Sequence, residues 1–176
     1  RRYPVTLRHC LSHKAGLTVN GWPCRRRNEP IGTLFDLLGG APVSGQPPVV
    51  VDKTPGGTER YSGGGFVIAE MLLEDVTGRT FDSLAEELIF EPLGMKHTTY
   101  RNPLPERFHA SVASGHDATG AMHAGGWLVS AEMGAGGIFT TAADYARFMI
   151  AARDAFLGRK GAFARCSVFI DSQTNR

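Results

Sequence analysis

Apolar residues recur at helical spacing along residues 65–77, a stretch that begins at the last of three consecutive glycines. One face of this stretch carries Ile68, Ala69, Leu72, Leu73 and Val76, and the other carries Glu70, Glu74 and Asp75. Positions i, i+1, i+4, i+5 and i+8 share one side of a helix. The pattern therefore predicts an amphipathic helix that ends at Gly78.

A second helical pattern follows after a short link. Thr80 is a suitable N-terminal cap, and Pro92 and Gly94 are suitable terminators. The apolar face between them consists of Phe81, Leu84, Ala85, Leu88 and Ile89. Because the link is short, residues 65–77 and 81–90 are predicted to form an adjacent antiparallel pair of helices.

Shorter signals precede this pair. Thr6 is predicted to cap a short helix that presents Leu7, Cys10 and Leu11 and stops at Gly16. A second short helix is predicted over residues 33–38, ended by Gly39 and Gly40. Four prolines make residues 41–60 irregular, and only residues 49–51 could form a short edge strand there.

The later part of the chain contains one more helical signal. Residues 101–135 are rich in loop-forming residues, and Thr141 with Asp144 then resembles a capping box. The helix that follows is predicted to present Tyr145, Phe148, Met149 and Ala152. The chain is thus predicted to be mainly α-helical with little strand. Residues 1–158 form the helical portion, and the pattern fades over a tail, 159–176.

Composition excludes several classes of function. The 176 residues suffice for one core, and 42% hydrophobic with 20% charged residues is ordinary for a globular protein. A net charge of +2 gives no nucleic-acid signal, and the basic run at 25–27 is predicted to be a solvated loop. No apolar run reaches membrane-spanning length, and the cysteines lack metal-binding spacing. The chain enters a helical pattern at once, without a signal peptide, so we expect the middle of a larger protein.

Candidate chemistry lies in residues 59–66, ERYSGGGF. Ser62 does not fit a nucleophile elbow, because Arg60 replaces the first glycine of G-x-S-x-G and no oriented base is nearby in sequence. An isolated Tyr61 would be a packed residue at the start of a helix, since a phenol acts as a base near neutral pH only beside strong positive charge. The six histidines lack H-E-x-x-H and favour capping or core roles over a metal site.

Four stretches resemble the serine beta-lactamase and penicillin-binding-protein-like hydrolases, which include class C beta-lactamases, D-alanyl-D-alanine peptidases and related esterases. They are VTLRHCLSHKAGL (5–17), PGGTERYSGGGFVIAEMLLEDVTGRTF (55–81), IFEPLGMKHTTY (89–100) and GGWLVSAEMGAGGIFTTAADYARF (125–148). The resemblance implies the helical part of a beta-lactamase-like α/β and all-α serine hydrolase fold. It also implies a small ester or amide substrate, an acyl-enzyme and no cofactor.

Three motifs build the site in that family: Ser-x-x-Lys, Tyr-x-Asn, and Lys-Thr-Gly or His-x-Gly. Tyr61-Ser62-Gly63 is similar to the second motif, which implies that Tyr61 is the proton acceptor and relay and that Ser62 supports it. Gly63 stands where asparagine is commonest, so an amide that would orient a substrate amide is missing. This difference favours an esterase or another hydrolase over a lactamase.

The other two motifs are missing from the 176 residues. No Ser-x-x-Lys occurs, and Ser12 has its nearest lysine, Lys14, one position too close. KTP at 53–55 contains a strand-breaking proline, and HAG at 123–125 precedes the segment that His-x-Gly should follow. We therefore expect a fragment that is inactive alone, with its nucleophile upstream of Arg1 and the third motif beyond Arg176.

Two other functions fit the residues. A non-catalytic module could keep the helical scaffold and bind a ligand or partner, and it would differ from a hydrolase by lacking an upstream Ser-x-x-Lys. A metal-dependent hydrolase could use His9, His13 or His116, which metal analysis would test.

Overall fold

The computed structural model describes residues 3–159 and 161, and these residues are mainly helical. The helices are α1 (Leu7–Leu11), α2 (Leu34–Gly39), α3 (Gly63–Thr77), α4 (Phe81–Ala85), α5 (Met133–Gly136) and α6 (Ala142–Phe156), and the strands are β1 (Arg25–Arg26) and β2 (Leu128–Val129). Turns of 3-10 helix lie at Pro42–Ser44 and Glu106–Phe108, and a π-helical turn, Glu86–Phe90, follows α4. The predicted mainly helical class with little strand is confirmed.

Threonine caps begin both short helices: the cap at Thr6 was predicted, whereas Thr33 was predicted as the first residue of its helix and instead caps it. The Thr6 hydroxyl accepts the His9 N–H in α1, and the Thr33 hydroxyl accepts the Asp36 N–H in α2. The predicted stop of α1 at Gly16 was wrong, because α1 ends at Leu11. His13 takes a left-handed backbone conformation, with φ of 57°, and so interrupts the helix before Gly16 is reached.

The basic run at 25–27 is only partly the solvated loop that was predicted. Arg25 and Arg26 form β1, which pairs antiparallel with β2 in the register Arg25 to Val129. The Arg27 guanidinium lies 4.5 Å from the centre of the Trp127 ring. These partners are remote in sequence, so the local pattern could not show them.

The described residues divide into two compact units. The first runs to Phe81 and includes Arg101–Gly137, and the second holds Asp82–Tyr100 and continues from Ile138. In the first unit α3 packs against α1, α2 and α5. Its buried apolar residues form two clusters: Val19, Trp22, Leu37 and Val67, and separately Cys10, Ala15 and Leu17.

Helix α3 ends at Thr77, as predicted, but it buries a different face. Glu70 is only 1% exposed, whereas Val76, on the predicted inner face, is 75% exposed. Burial follows the neighbouring elements and is concentrated in the first half of the helix. Three glycines begin α3, and a Cβ atom on Gly65 would lie 3.0 Å from the Cys10 carbonyl oxygen. Glycine therefore permits the close approach of α1.

The predicted helix over 81–90, which belongs to the second unit from Asp82 onward, is present with an altered inner face. Its second half is a π-helical turn in which the Glu91 N–H donates to the Glu86 carbonyl at 2.9 Å. The wider turn shifts the register, so Phe90 is buried and Leu88, predicted to be inside, is 59% exposed. Both segments of the predicted helix pair are helical, and their packing on each other stays a prediction.

The capping box predicted at the start of α6 is only half formed. The Thr141 hydroxyl accepts the Asp144 N–H. The Asp144 carboxylate is fully buried and accepts from the His97 N–H and the Thr98 hydroxyl instead. No helix among the described residues is long and apolar enough to cross a membrane.

Candidate active site

Tyr61 lies at the surface immediately before α3, where two segments of the first unit run side by side. The Arg60 N–H donates to the His13 carbonyl at 2.8 Å, and the Gly63 N–H donates to the Asn20 carbonyl at 3.1 Å. These bonds fix the backbone on both sides of Tyr61. The side chain itself is 60% exposed, so its phenol is accessible to another molecule.

Ser62 is buried, in contrast to its neighbour. It is 2% exposed, and its hydroxyl donates to the Val19 carbonyl oxygen at 2.7 Å. Its N–H donates to Nδ1 of His13 at 3.2 Å. A hydroxyl with its proton already committed inside the protein is poorly placed to attack a substrate, so Ser62 serves to anchor this turn.

His13 is the residue of this site that sequence reasoning did not identify as part of the tyrosine motif. Its ring centroid lies 4.5 Å from that of Tyr61, with the ring planes inclined by 36°. It also lies 5.4 Å from the Phe66 ring. The sequence signal was weak: a histidine just beyond a short helix, and histidine is one of the few non-glycine residue types enriched at positive φ.

Gly63 occupies a crowded position. A Cβ atom built there would lie 3.0 Å from the Asn20 carbonyl oxygen and 3.5 Å from the Gly21 Cα atom. An asparagine at this position would require the Asn20–Gly21 backbone to move by a few tenths of an ångström. The Asn20–Gly21 backbone therefore crowds the position at which this chain has glycine in place of the asparagine of Tyr-x-Asn.

Arg60, the cation adjacent to Tyr61 in sequence, is already engaged. Its guanidinium forms an ion pair with Asp52, and its Nη2 also donates to the Gly16 carbonyl at 2.8 Å. The hydrogen bonds and charge of Arg60 hold the pKa of the Asp52 carboxyl below its ordinary value. Because Asp52 neutralises it, Arg60 is a poor source of the positive charge that would make the Tyr61 phenol a base.

Two buried carboxyl groups lie deeper in the same unit. Glu70 accepts the Gly134 N–H through Oε2 at 2.8 Å, which ties α3 to α5. Burial raises the pKa of Glu70 from 4.5 to about 7, the Gly134 N–H opposes this, and the charges of Glu74 and Glu132 add to it. Burial likewise raises the pKa of Glu132. The polar face predicted for α3 gave no sign of this cluster.

The histidines proposed as metal ligands have other contacts. Nδ1 of His9 accepts the Thr6 N–H at 3.4 Å, and Nδ1 of His13 accepts the Ser62 N–H. The backbone of His116 forms an isolated bridge with Met122. In the part of the chain that the structure describes, no group of three or more potential ligands is positioned to hold a metal ion.

The model of the beta-lactamase family matches residues 1–165. The chain belongs to this family. A putative D-alanyl-D-alanine carboxypeptidase of Escherichia coli K12 is 34% identical over 118 residues, which is 64% of this chain and 26% of that protein. The chain thus spans about a quarter of the length of this curated relative.

Solved structures show the same fold. The D-amino acid amidase of Ochrobactrum anthropi SV3, in complex with L-phenylalanine amide, aligns with a TM-score of 0.65 and 23% identity over 85% of this chain and 43% of the amidase. A class C beta-lactamase aligns with a TM-score of 0.60 and 20% identity over 84% of this chain and 37% of that protein. The chain therefore has the helical part of a beta-lactamase-type fold.

Proposed function

We propose that this chain supplies the tyrosine motif of a serine hydrolase that cleaves a small ester or amide through an acyl-enzyme. Tyr61 is the proton acceptor and relay, and the nucleophilic serine with its lysine lies in sequence outside the chain. The observation that carries the proposal is the exposed Tyr61 phenol in a member of the beta-lactamase family, on a backbone that is held at the start of α3 by bonds to the segment that contains His13.

The proposed chemistry assigns Tyr61 two proton transfers. Its phenolate takes the proton of the serine hydroxyl as the serine oxygen attacks the substrate carbonyl carbon. It then gives that proton to the leaving oxygen or nitrogen as the carbonyl–leaving-group bond breaks, which leaves the acyl-enzyme. Water releases the acyl group in a second, equivalent sequence. The lysine supplies the positive charge that favours the phenolate, since Asp52 already pairs with Arg60.

The substrate class rests on the relatives and on Gly63. The names of the matching proteins, a putative D-alanyl-D-alanine carboxypeptidase and a D-amino acid amidase, indicate amide substrates for those proteins. Glycine at position 63 provides no side-chain amide to orient a lactam amide. We therefore favour small esters and simple amides over beta-lactams.

The chain alone is expected to be inactive. None of its 176 residues completes a Ser-x-x-Lys motif, and a base without a nucleophile cannot form an acyl-enzyme. No hydrolysis of a short-chain p-nitrophenyl ester or of nitrocefin should be detected. Turnover by the chain that disappears in Ser62→Ala would contradict the proposal.

The full-length protein, meaning this chain with its flanking coding sequence, tests the positive claim. It should contain Ser-x-x-Lys upstream of residue 1 and should hydrolyse p-nitrophenyl esters or D-phenylalanine amide. Mass spectrometry of the quenched reaction should show the acyl group on the serine of that motif. A full-length sequence without the motif would favour a non-catalytic binding module.

A further inference from the structure

His13 has a backbone conformation that the surrounding structure must hold in place. Its φ is 57°, and it is the only non-glycine residue with a positive φ among those the structure describes. Its N–H donates to the Cys10 carbonyl at 3.2 Å, and its carbonyl accepts the Arg60 N–H at 2.8 Å. Residues held in such sparsely populated conformations are concentrated at functional sites.

The imidazole of His13 is fixed by one hydrogen bond and two ring contacts. Nδ1 accepts the Ser62 N–H at 3.2 Å, so a neutral ring carries its proton on Nε2. The Tyr61 and Phe66 rings lie 4.5 and 5.4 Å from it, centroid to centroid. The Tyr61 phenol oxygen has no hydrogen-bond partner within the described residues. The observed contact of the exposed Tyr61 ring is thus its packing against the His13 imidazole.

We infer that His13 is a positioning residue for Tyr61, an inference that rests on the proposed function. Its left-handed backbone and its bond to Ser62 fix an imidazole face against which the Tyr61 phenol is oriented for proton transfer. Without that face the phenol samples other orientations, and its oxygen reaches the reacting groups less often. Loss of orientation lowers kcat and leaves the affinity for substrate nearly unchanged.

The test uses His13→Asn in the full-length protein. Asparagine tolerates a positive φ, and its side-chain oxygen can accept the Ser62 N–H in place of Nδ1, but it has no ring to pack on Tyr61. His9→Asn is the matched control. Nδ1 of His9 also accepts a backbone N–H, from Thr6 at 3.4 Å, so the control makes the same chemical change at the cap of α1.

A double-mutant cycle separates positioning from a merely structural role. His13→Asn should lower kcat for a p-nitrophenyl ester by about tenfold, with KM within about twofold of the wild-type value. In a Tyr61→Phe background the same substitution should cause no further loss, because no phenol remains to be oriented. His9→Asn should leave kcat unchanged in both backgrounds.

Different results would overturn the role of His13 and the proposed function of the chain. An unchanged kcat in His13→Asn, or an equal loss with and without the Tyr61 phenol, would overturn the role of His13. Full activity in Tyr61→Phe would instead overturn the proposed function, whatever His13 does.

A measurement without any substitution covers the case in which His13→Asn does not fold. With ¹³C-labelled tyrosine in the wild-type chain, nuclear Overhauser effects should connect the His13 imidazole protons with the Tyr61 ring protons. They should persist when the phenol oxygen is free of any ligand. Their absence would show that the two rings are not held together and would overturn the inference.

Discussion

Buried polar groups at the start and in the middle of α3 differ in how fully they are hydrogen-bonded. At the start, Ser62 is buried with both its hydroxyl and its N–H hydrogen-bonded, while the adjacent Tyr61 is exposed. In the middle, Glu70 is buried with Oε2 bonded to Gly134, but its Oε1 has no hydrogen-bond partner among the described residues. The polar groups of Ser62 are thus fully hydrogen-bonded beside the exposed Tyr61 phenol. Within the described part of the chain, the buried Glu70 carboxyl group has a hydrogen bond to only one of its two oxygens.

This difference separates the residue proposed to act in catalysis, Tyr61, from a buried residue expected to affect stability, Glu70. Removing an exposed hydroxyl from Tyr61 leaves no buried partner without a bond, so the fold should not respond. A charge on Glu70 is costly because burial disfavours the ionised form, so the fold should respond to pH there.

The largest effect is expected for Tyr61→Phe in the full-length protein. The substitution keeps the ring and its contact with His13 but removes the group that would accept the proton of the nucleophile. A positioned acid or base typically contributes about 10²- to 10⁴-fold, so kcat should fall by at least about a hundredfold. The melting temperature should change little.

Ser62→Ala gives the matched comparison on the next residue. It removes the buried bond to the Val19 carbonyl, which should cost about 1 kcal/mol of the free energy of unfolding, and should reduce kcat far less than Tyr61→Phe. If Tyr61→Phe keeps near-full activity while Ser62→Ala abolishes it, the two roles are reversed. A Tyr61→Phe protein that mainly loses stability would mark Tyr61 as a packing residue.

The next effect concerns the buried carboxyl group. Because the pKa of Glu70 is raised from 4.5 to about 7, the folded protein keeps a proton that the unfolded chain releases between these pH values. Wild-type stability should therefore fall as pH rises across this interval and level off above it. Glu70→Gln cannot ionise, so its stability relative to wild type should increase by about 3 kcal/mol between pH 4.5 and pH 8.

Urea unfolding of the chain at pH 4.5, 6, 7 and 8 measures this difference. Asp75→Asn, an exposed carboxyl group on the same helix, serves as the control. If the Glu70→Gln protein is no more stable relative to wild type at pH 8 than at pH 4.5, Glu70 is not held protonated by burial. The Glu70 carboxylate would then be better stabilised by hydrogen bonds or charges than the structure indicates.

The sequence predicted the features that depend on neighbouring residues in the chain. Thr6 and Thr141 cap helices as expected, since a cap depends on residues within one turn. The buried face of α3 was mispredicted because it depends on α1, α2 and α5, which are distant in sequence. Leu88 is exposed because a π-helical turn follows α4. A prediction based on regular helical spacing cannot detect such a turn.

The candidate site divides in the same way. The family motif singled out Tyr61, Ser62 and Gly63 as candidates, and their catalytic roles stay predictions. The contact with His13 was not predictable, because it requires the backbone of residues 13–20 to lie beside residues 60–64. Glu70 was assigned to the outer face, since a carboxyl group on an amphipathic helix is usually solvated.

The smallest effect is expected at Gly63. A Cβ atom there would lie 3.0 Å from the Asn20 carbonyl oxygen, and that oxygen is held by the Gly63 N–H. Moving Asn20 would therefore stretch the bond that joins the two segments, and Gly63→Ala should lower the free energy of unfolding by about 1 kcal/mol despite alanine's helix propensity. Gly39→Ala is the control, because nothing lies within 4 Å of its Cβ position. It should gain about 0.5 kcal/mol in the same urea titration. If both variants gain equally, the Asn20–Gly21 backbone gives way without cost, and steric crowding is not the reason that glycine replaces asparagine in this motif.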